Sequence, residues 1–195
     1  KQKEIIRMAI RYDKINLSDL GVRAEVARFD ARGEVTEWHV MLHVEPRCDL
    51  FQKQMQRIYE AEDRLTGMPG FEGSRYVMKR YFLSDSTNQQ PLMRKQPDIS
   101  ISIIQQQPLD GSKIAVWLYM QSHTQVANDN GMVVVSHNGY KHLWKMGMHQ
   151  HKGDSAWQTE SVLIEYEEAL QNFGATLADN CVRTWFFVRD VDTQY

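Results

Sequence analysis

The chain has 195 residues, 42% of them apolar and 25% charged, which excludes disordered and low-complexity classes and allows one large domain or two small ones. Its 23 lysines and arginines against 25 aspartates and glutamates leave a net charge of −2, so the general electrostatic reason to bind nucleic acid is missing. The apolar runs Met132–Val135 and Ile114–Met120 are far short of the ~20 residues of a membrane span, and Cys48 and Cys181 cannot frame a disulfide scaffold. No apolar signal core follows Lys1, and the expectation is a soluble, cytoplasmic chain.

In chain order, Val22 to Asp30 and Glu34 to Glu45 read as a hairpin around Ala31-Arg-Gly33. Asp49, with Gln52 three residues on, has the form of a capped helix start. Phe51, Met55, Ile58, Glu62 and Leu65 follow at helical spacing, so a helix is predicted over 50–66 with Gly67 as its stop. Arg75 to Asp85 is β-branched and aromatic and reads as a strand. After a polar loop from Pro91 to Pro97, Ile99–Ile104 and Ser112–Met120 read as a second hairpin across Gln105–Gly111. Ile99, Ile101 and Ile103 alternate there with Ser100 and Ser102, the mark of a one-sided sheet face.

Met132–Ser136 and Tyr140–Met148 read as a third hairpin around His137-Asn-Gly139, an Asn-Gly turn that favours positive φ at both central residues. Ser155 with Gln158 predicts a second capped helix over 155–173. Thr159, Val162, Leu163, Tyr166, Leu170 and Phe173 form its stripe, and Gly174 stops it. Cys181 to Asp190 reads as a second aromatic strand.

The two halves therefore share one order: hairpin, capped helix, aromatic strand ending in Asp. Val77 aligns with Val182, Tyr81 with Phe186, Phe82 with Phe187, Leu83 with Val188 and Asp85 with Asp190, without gaps, at an offset of 105 residues. We read this as an internal duplication. The first copy goes on to complete its sheet while the second ends at Tyr195, and the chain opens on Lys1, so a fragment of a longer protein is expected.

Met132-Val-Val-Val-Ser136 and its hairpin, Gly153-Asp-Ser-Ala-Trp-Gln-Thr159 opening a long helix, and Cys181 to Asp192 resemble the reactive-intermediate deaminase (Rid/YjgF/L-PSP) superfamily over about 65 residues, 131–195. Residues 22–121 look like a more diverged copy, with Leu109 to Trp117 similar to the family's final strand. Two tandem units are similar to the chorismatase branch. The resemblance implies an α+β fold of chorismate-mutase-like type with helices on one face. It implies a diverged unit at 1–125 and the first half of a second at 126–195. It further implies a homo-oligomer (trimer or pseudo-trimer), no cofactor or metal, and a small-molecule carboxylate ligand. The implied activity is that of a hydrolase or deaminase on an enamine, imine or chorismate-like metabolite, with most of the catalysis C-terminal to this chain. The alternatives are a non-catalytic ligand-binding or oligomerisation module and an endoribonuclease, against which the charge argues.

No catalytic residue is assigned. Ser136 matches the family's pocket-lining serine; His137, a ligand-binding candidate beside it, stands where the family has a glycine, a departure that bears on the backbone contact made there. Arg183 could reach an anionic ligand, and Trp185 shares its strand face. The family's carboxylate-clamping arginine falls at Ile99, which cannot clamp. His39 and His43 share a strand face about 13 Å apart from end to end, too far for one ion. His137, His142, His149 and His151 lack a carboxylate or cysteine at ligand spacing. Cys181 is expected to pack inertly.

Overall fold

The computed structural model describes residues 10–31, 34–190 and 192, in two compact units divided after Met146. The tip of the predicted first turn, Arg32 and Gly33, and Val191 of the family-like strand lie outside the described residues. The expected α+β class is what is found. The expected division at 125/126 and the observed one differ because the third hairpin packs with the first unit.

In the first unit β1 (Ile10–Leu17), β2 (Val22–Asp30), β3 (Thr36–Val44), β4 (Ser74–Leu83), β5 (Ser100–Gln105) and β6 (Ile114–Ser122) form one sheet in the order β1-β2-β3-β6-β4-β5. All neighbours are antiparallel except β4 and β5, which run parallel. The strands at 99–104 and 112–120 exist, but they are not the hairpin expected from sequence. β6 inserts between β3 and β4, and β5 lies at the edge beyond β4. Burial explains this arrangement: almost all of β6 and most of β4 are buried, so each needs ladder partners on both sides. The parallel β4–β5 step needs a crossover, and the short helix α2 (Ser86–Gln89) with the 3-10 turn Gln90–Leu92 lies in it.

Helix α1 (Phe51–Leu65) covers one face, burying Phe51, Met55, Ile58 and Leu65 on Val22, Val40, Leu42, Val116 and Leu118. At ~1.5–3 kcal/mol per large apolar side chain, that stripe contributes much of the unit's stability. Asp49 does not cap α1. Its carboxylate instead takes Arg57 Nη2 at 2.9 Å and Lys53 Nζ at 3.3 Å, because the buried Arg57 guanidinium needs a counter-ion more than the helix needs a cap.

A bulge in β4 shifts the register between Tyr76 and Met78. Val77 and Met78 then both leave the α1 face, while Tyr76 and Lys79 turn toward it. This is why Glu62, which the helical spacing places in the apolar stripe, is fully buried yet satisfied. Lys79 Nζ donates to its carboxylate at 2.7 Å, Arg94 Nη2 at 3.1 Å and Tyr81 Oη at 3.2 Å. Gln96 closes the node, accepting from Lys79 at 2.7 Å and donating to Tyr81 at 3.1 Å.

On the opposite face lies a second, three-stranded antiparallel sheet: β7 (Gln125–Asp129), β8 (Met132–His137) and β9 (Tyr140–Trp144). Val133 and Val135 pack on Val77, Met78 and Tyr119. β7 was not foreseen. The turn between β8 and β9 carries φ +49° at Asn138 and +81° at Gly139, as Asn-Gly predicts.

The second unit contains α3 (Ser155–Gln171) and α4 (Leu177–Asn180). The cap of α3 is Asp154, not Ser155, and accepts from Trp157 N at 2.9 Å. Gly174, at φ +65°, closes it as expected, with Ala175 N donating back to Leu170 O at 3.2 Å. The expected strand at 181–190 is not formed. Its residues have strand propensity, but the described part of this unit holds no other strand to pair with, and a ladder needs a partner. Val182 is 98% exposed, and Cys181 is exposed rather than packed. No helix among the described residues is long and apolar enough to cross a membrane.

Candidate functional site

The face of the main sheet turned away from α1 gathers polar and aromatic side chains because β3 and β6 pair in one register. Glu37 stands opposite Gln121, and His39 opposite Tyr119. Same-face neighbours on paired strands are close enough to bond. Tyr119 Oη donates to Glu37 Oε2 at 2.8 Å and accepts from Gln121 Nε2 at 2.6 Å. The Tyr119 ring is held by His39, stacked at 4.7 Å, and by Trp144 from β9 at 5.0 Å. His39 Nδ1 in turn accepts from Trp117 Nε1 at 3.1 Å.

The β8–β9 hairpin brings His137, Tyr140 and His142 to this relay. His137 meets Tyr140 at 4.7 Å and His142 at 4.8 Å, edge to face. His142 is electrostatically coupled to both His137 and Glu37. Burial first, then His137, holds its imidazole below the usual range, against the opposite pull of Glu37. Burial and the adjacent Glu37 push the Tyr119 phenol above its own range. At neutral pH, therefore, His142 is a neutral base and Tyr119 a protonated donor.

Several buried polar atoms of this layer have no partner among the described residues. His137 is 9% exposed, and neither ring nitrogen has a hydrogen-bond partner among the described residues. Gln121 is fully buried with Oε1 unpartnered, and Trp144 Nε1 is likewise buried and unpartnered. Folded proteins rarely leave such groups bare, since each costs ~1–3 kcal/mol.

Of the residues singled out from sequence, Ser136 and His137 lie on β8, Ser136 half-buried and His137 buried in the cluster. Arg183 and Trp185 lie in the second unit, with the Arg183 guanidinium 5.6 Å from the Trp185 ring centroid. The structure therefore does not assemble the four in one unit. Ile99 lies half-buried just before β5. Glu37, Tyr119, Gln121 and Trp144 were missed. The signal for Glu37 was its alternation with His39 and His43, but the partner strand β6 could be recognised only from the topology. Among the described residues no three His, Cys, Asp or Glu converge as a metal set. Comparison with protein-family models, with curated proteins and with solved structures finds no match to this chain.

Proposed function

We propose that the chain is a small-molecule protein of the reactive-intermediate deaminase kind, acting on an imine or enamine of a carboxylate-bearing metabolite, with its first-unit site between the main sheet and the β8–β9 hairpin. The observation that carries this reading is His137. It follows Ser136, which the sequence resemblance puts at a ligand pocket, and it is buried with two ring nitrogens that no described residue partners, beside the Glu37–Tyr119–Gln121 relay. The mixed sheet with α1 on one face accords with the fold that the resemblance implies. The recurrence of a hairpin followed by a long helix is what supports the reading of tandem units.

In imine hydrolysis, water adds to the C=N carbon and ammonia leaves, giving a carbonyl. Glu37 Oε1, which bonds no described residue, takes the proton of the attacking water, and Tyr119 steadies the carboxylate through Oε2. His142, neutral by burial, relays the proton to the departing nitrogen. The test is to generate 2-aminoacrylate in the presence of the protein and follow its conversion to pyruvate and ammonia, with chorismate as the parallel substrate. Loss of either substrate should be accelerated, and Glu37→Gln should slow the reaction at least 100-fold. No acceleration of either substrate would overturn the reading.

A second reading is a non-catalytic binding module, and one residue favours it: Ile99, at the position of the family's clamping arginine. It requires ligand binding to be retained with no turnover.

A further inference from the structure

The loop leading into α3, in the second unit, carries His149 and His151, both exposed. Their rings meet at 4.7 Å between centroids, close to perpendicular. A ligating nitrogen sits ~2.0 Å from a first-row transition ion and ~1.1 Å from its own ring centre. Two imidazoles on one ion therefore have centroids about 4.5–5.2 Å apart, for bond angles between square-planar and tetrahedral. The observed spacing falls inside that range.

A second observation concerns the proton of His149. Its Nδ1 lies 2.8 Å from Gly147 O, and a carbonyl can only accept, so Nδ1 carries the hydrogen and the lone pair of the neutral ring is on Nε2. A backbone carbonyl on the far nitrogen is the usual way a metal-ligating histidine is oriented. Gly147 aims that carbonyl from φ +72°, a conformation that favours glycine. At the other end of the loop Gly153, also at φ +72°, lies so close to Trp157 that a Cβ would stand 2.8 Å from the ring, and Gln158 Nε2 donates to its carbonyl at 3.1 Å. The loop is thereby fastened to α3, which limits the freedom lost when it takes an ion.

We propose that His149, through Nε2, and His151 bind a divalent transition-metal ion, with copper(II) preferred over zinc(II). Imidazole suits both ions, and the Irving–Williams order puts copper first. The His151 ring meets only that of His149 among the described residues, so it can turn to present either nitrogen. No third His, Cys, Asp or Glu converges with the pair among the described residues. The other coordination positions therefore belong to water, and the ion is exchangeable rather than structural. The site does not depend on the reaction proposed above for the first unit.

The test titrates the full chain with copper(II) chloride and with zinc sulfate, followed by calorimetry, by NMR and, for copper, by electron paramagnetic resonance. A single equivalent of copper should bind with Kd about 1–10 μM, and zinc about tenfold more weakly. The copper spectrum should show two imidazole nitrogens, and the ring resonances of His149 and His151 should broaden before those of His137 and His142. His149→Ala and His151→Ala, both at exposed positions, should each weaken copper about tenfold or more and leave one nitrogen in the spectrum. His123→Asn, at another exposed histidine, should change neither affinity nor spectrum. Zinc binding as tightly as copper, an alanine variant with unaltered copper affinity, or earliest broadening at His137 and His142 would each overturn the proposal. A copper affinity weaker than about 100 μM in the unaltered chain would mean an adventitious ion only, and overturns it as well.

Discussion

Replacing Glu62 by Gln would leave the Lys79 ammonium, 1% exposed, facing a neutral amide that can no longer balance its charge. Breaking one side of a buried ion pair costs ~3–5 kcal/mol, because the remaining charge is uncompensated. Lys79→Met should cost somewhat less, about 3 kcal/mol, since Arg94 and Tyr81 still hold the carboxylate. The Arg94 contribution is itself small, at most about 1 kcal/mol, because that side chain is 38% exposed. In the double variant Glu62→Leu/Lys79→Met no charge of the pair is left behind. Gln96 then loses one donor and Tyr81 Oη its acceptor, which the freed Gln96 oxygen can replace, while Arg94 keeps Asp63, so the expected loss is only about 2 kcal/mol. The double variant should thus be more stable than either single variant. Urea unfolding followed by tryptophan fluorescence measures all three. Single-variant losses below about 1 kcal/mol, or a double loss equal to the sum of the singles, would refute the account of this node.

Because its folded-state pKa lies below the unfolded value, His142 contributes stability that is complete above pH 6.5 and is lost as the pH falls below it. NMR titration should place its midpoint under 6.5, and the β7–β9 resonances should broaden or shift first on acidification; a midpoint above 6.5 would contradict its burial. In the second unit, Leu170 is the one buried side chain of α3, so Leu170→Ala should lower that unit's stability by about 2–3 kcal/mol. Leu163→Asp and Tyr166→Asp, at half-buried positions, should also destabilise it. Hydrogen exchange of the α3 amides checks all three.

Local pattern was a good guide wherever the physics is local. Both long helices and the β2–β3 hairpin lie within a residue or two of where side-chain spacing and turn chemistry put them, and the β8–β9 hairpin starts where expected although β9 ends at Trp144, four residues before Met148. Pairing across the chain was not legible. Residues 99–120 look like a hairpin because the two strands are adjacent in sequence, yet burial of β4 and β6 on both faces forces a different order. The same limit hid Glu37 and Gln121, which meet only in the β3–β6 register. Glu62 was hidden for another reason: helical spacing marks a position as inward-facing without saying what it meets, and the bulge at Val77 supplies Lys79. At 181–188 propensity pointed to a strand, but pairing decides whether one forms.

The two faces of the main sheet divide the chemistry between them. Both bury charged or polar groups, and both draw on β4 and β6. On the α1 face every oxygen of the Glu62 carboxylate has a donor, and Lys79, Tyr81 and Gln96 bond one another in a closed set. Such a set gains nothing from a ligand, and its removal is felt as lost stability. On the other face the relay through Tyr119 stops short, with Gln121 Oε1 and both His137 nitrogens open. The open acceptors and ring nitrogens of that face are groups that a polar ligand would complete. The proposed function therefore rests on the β8–β9 side of the sheet, where the open groups and the two histidines lie together.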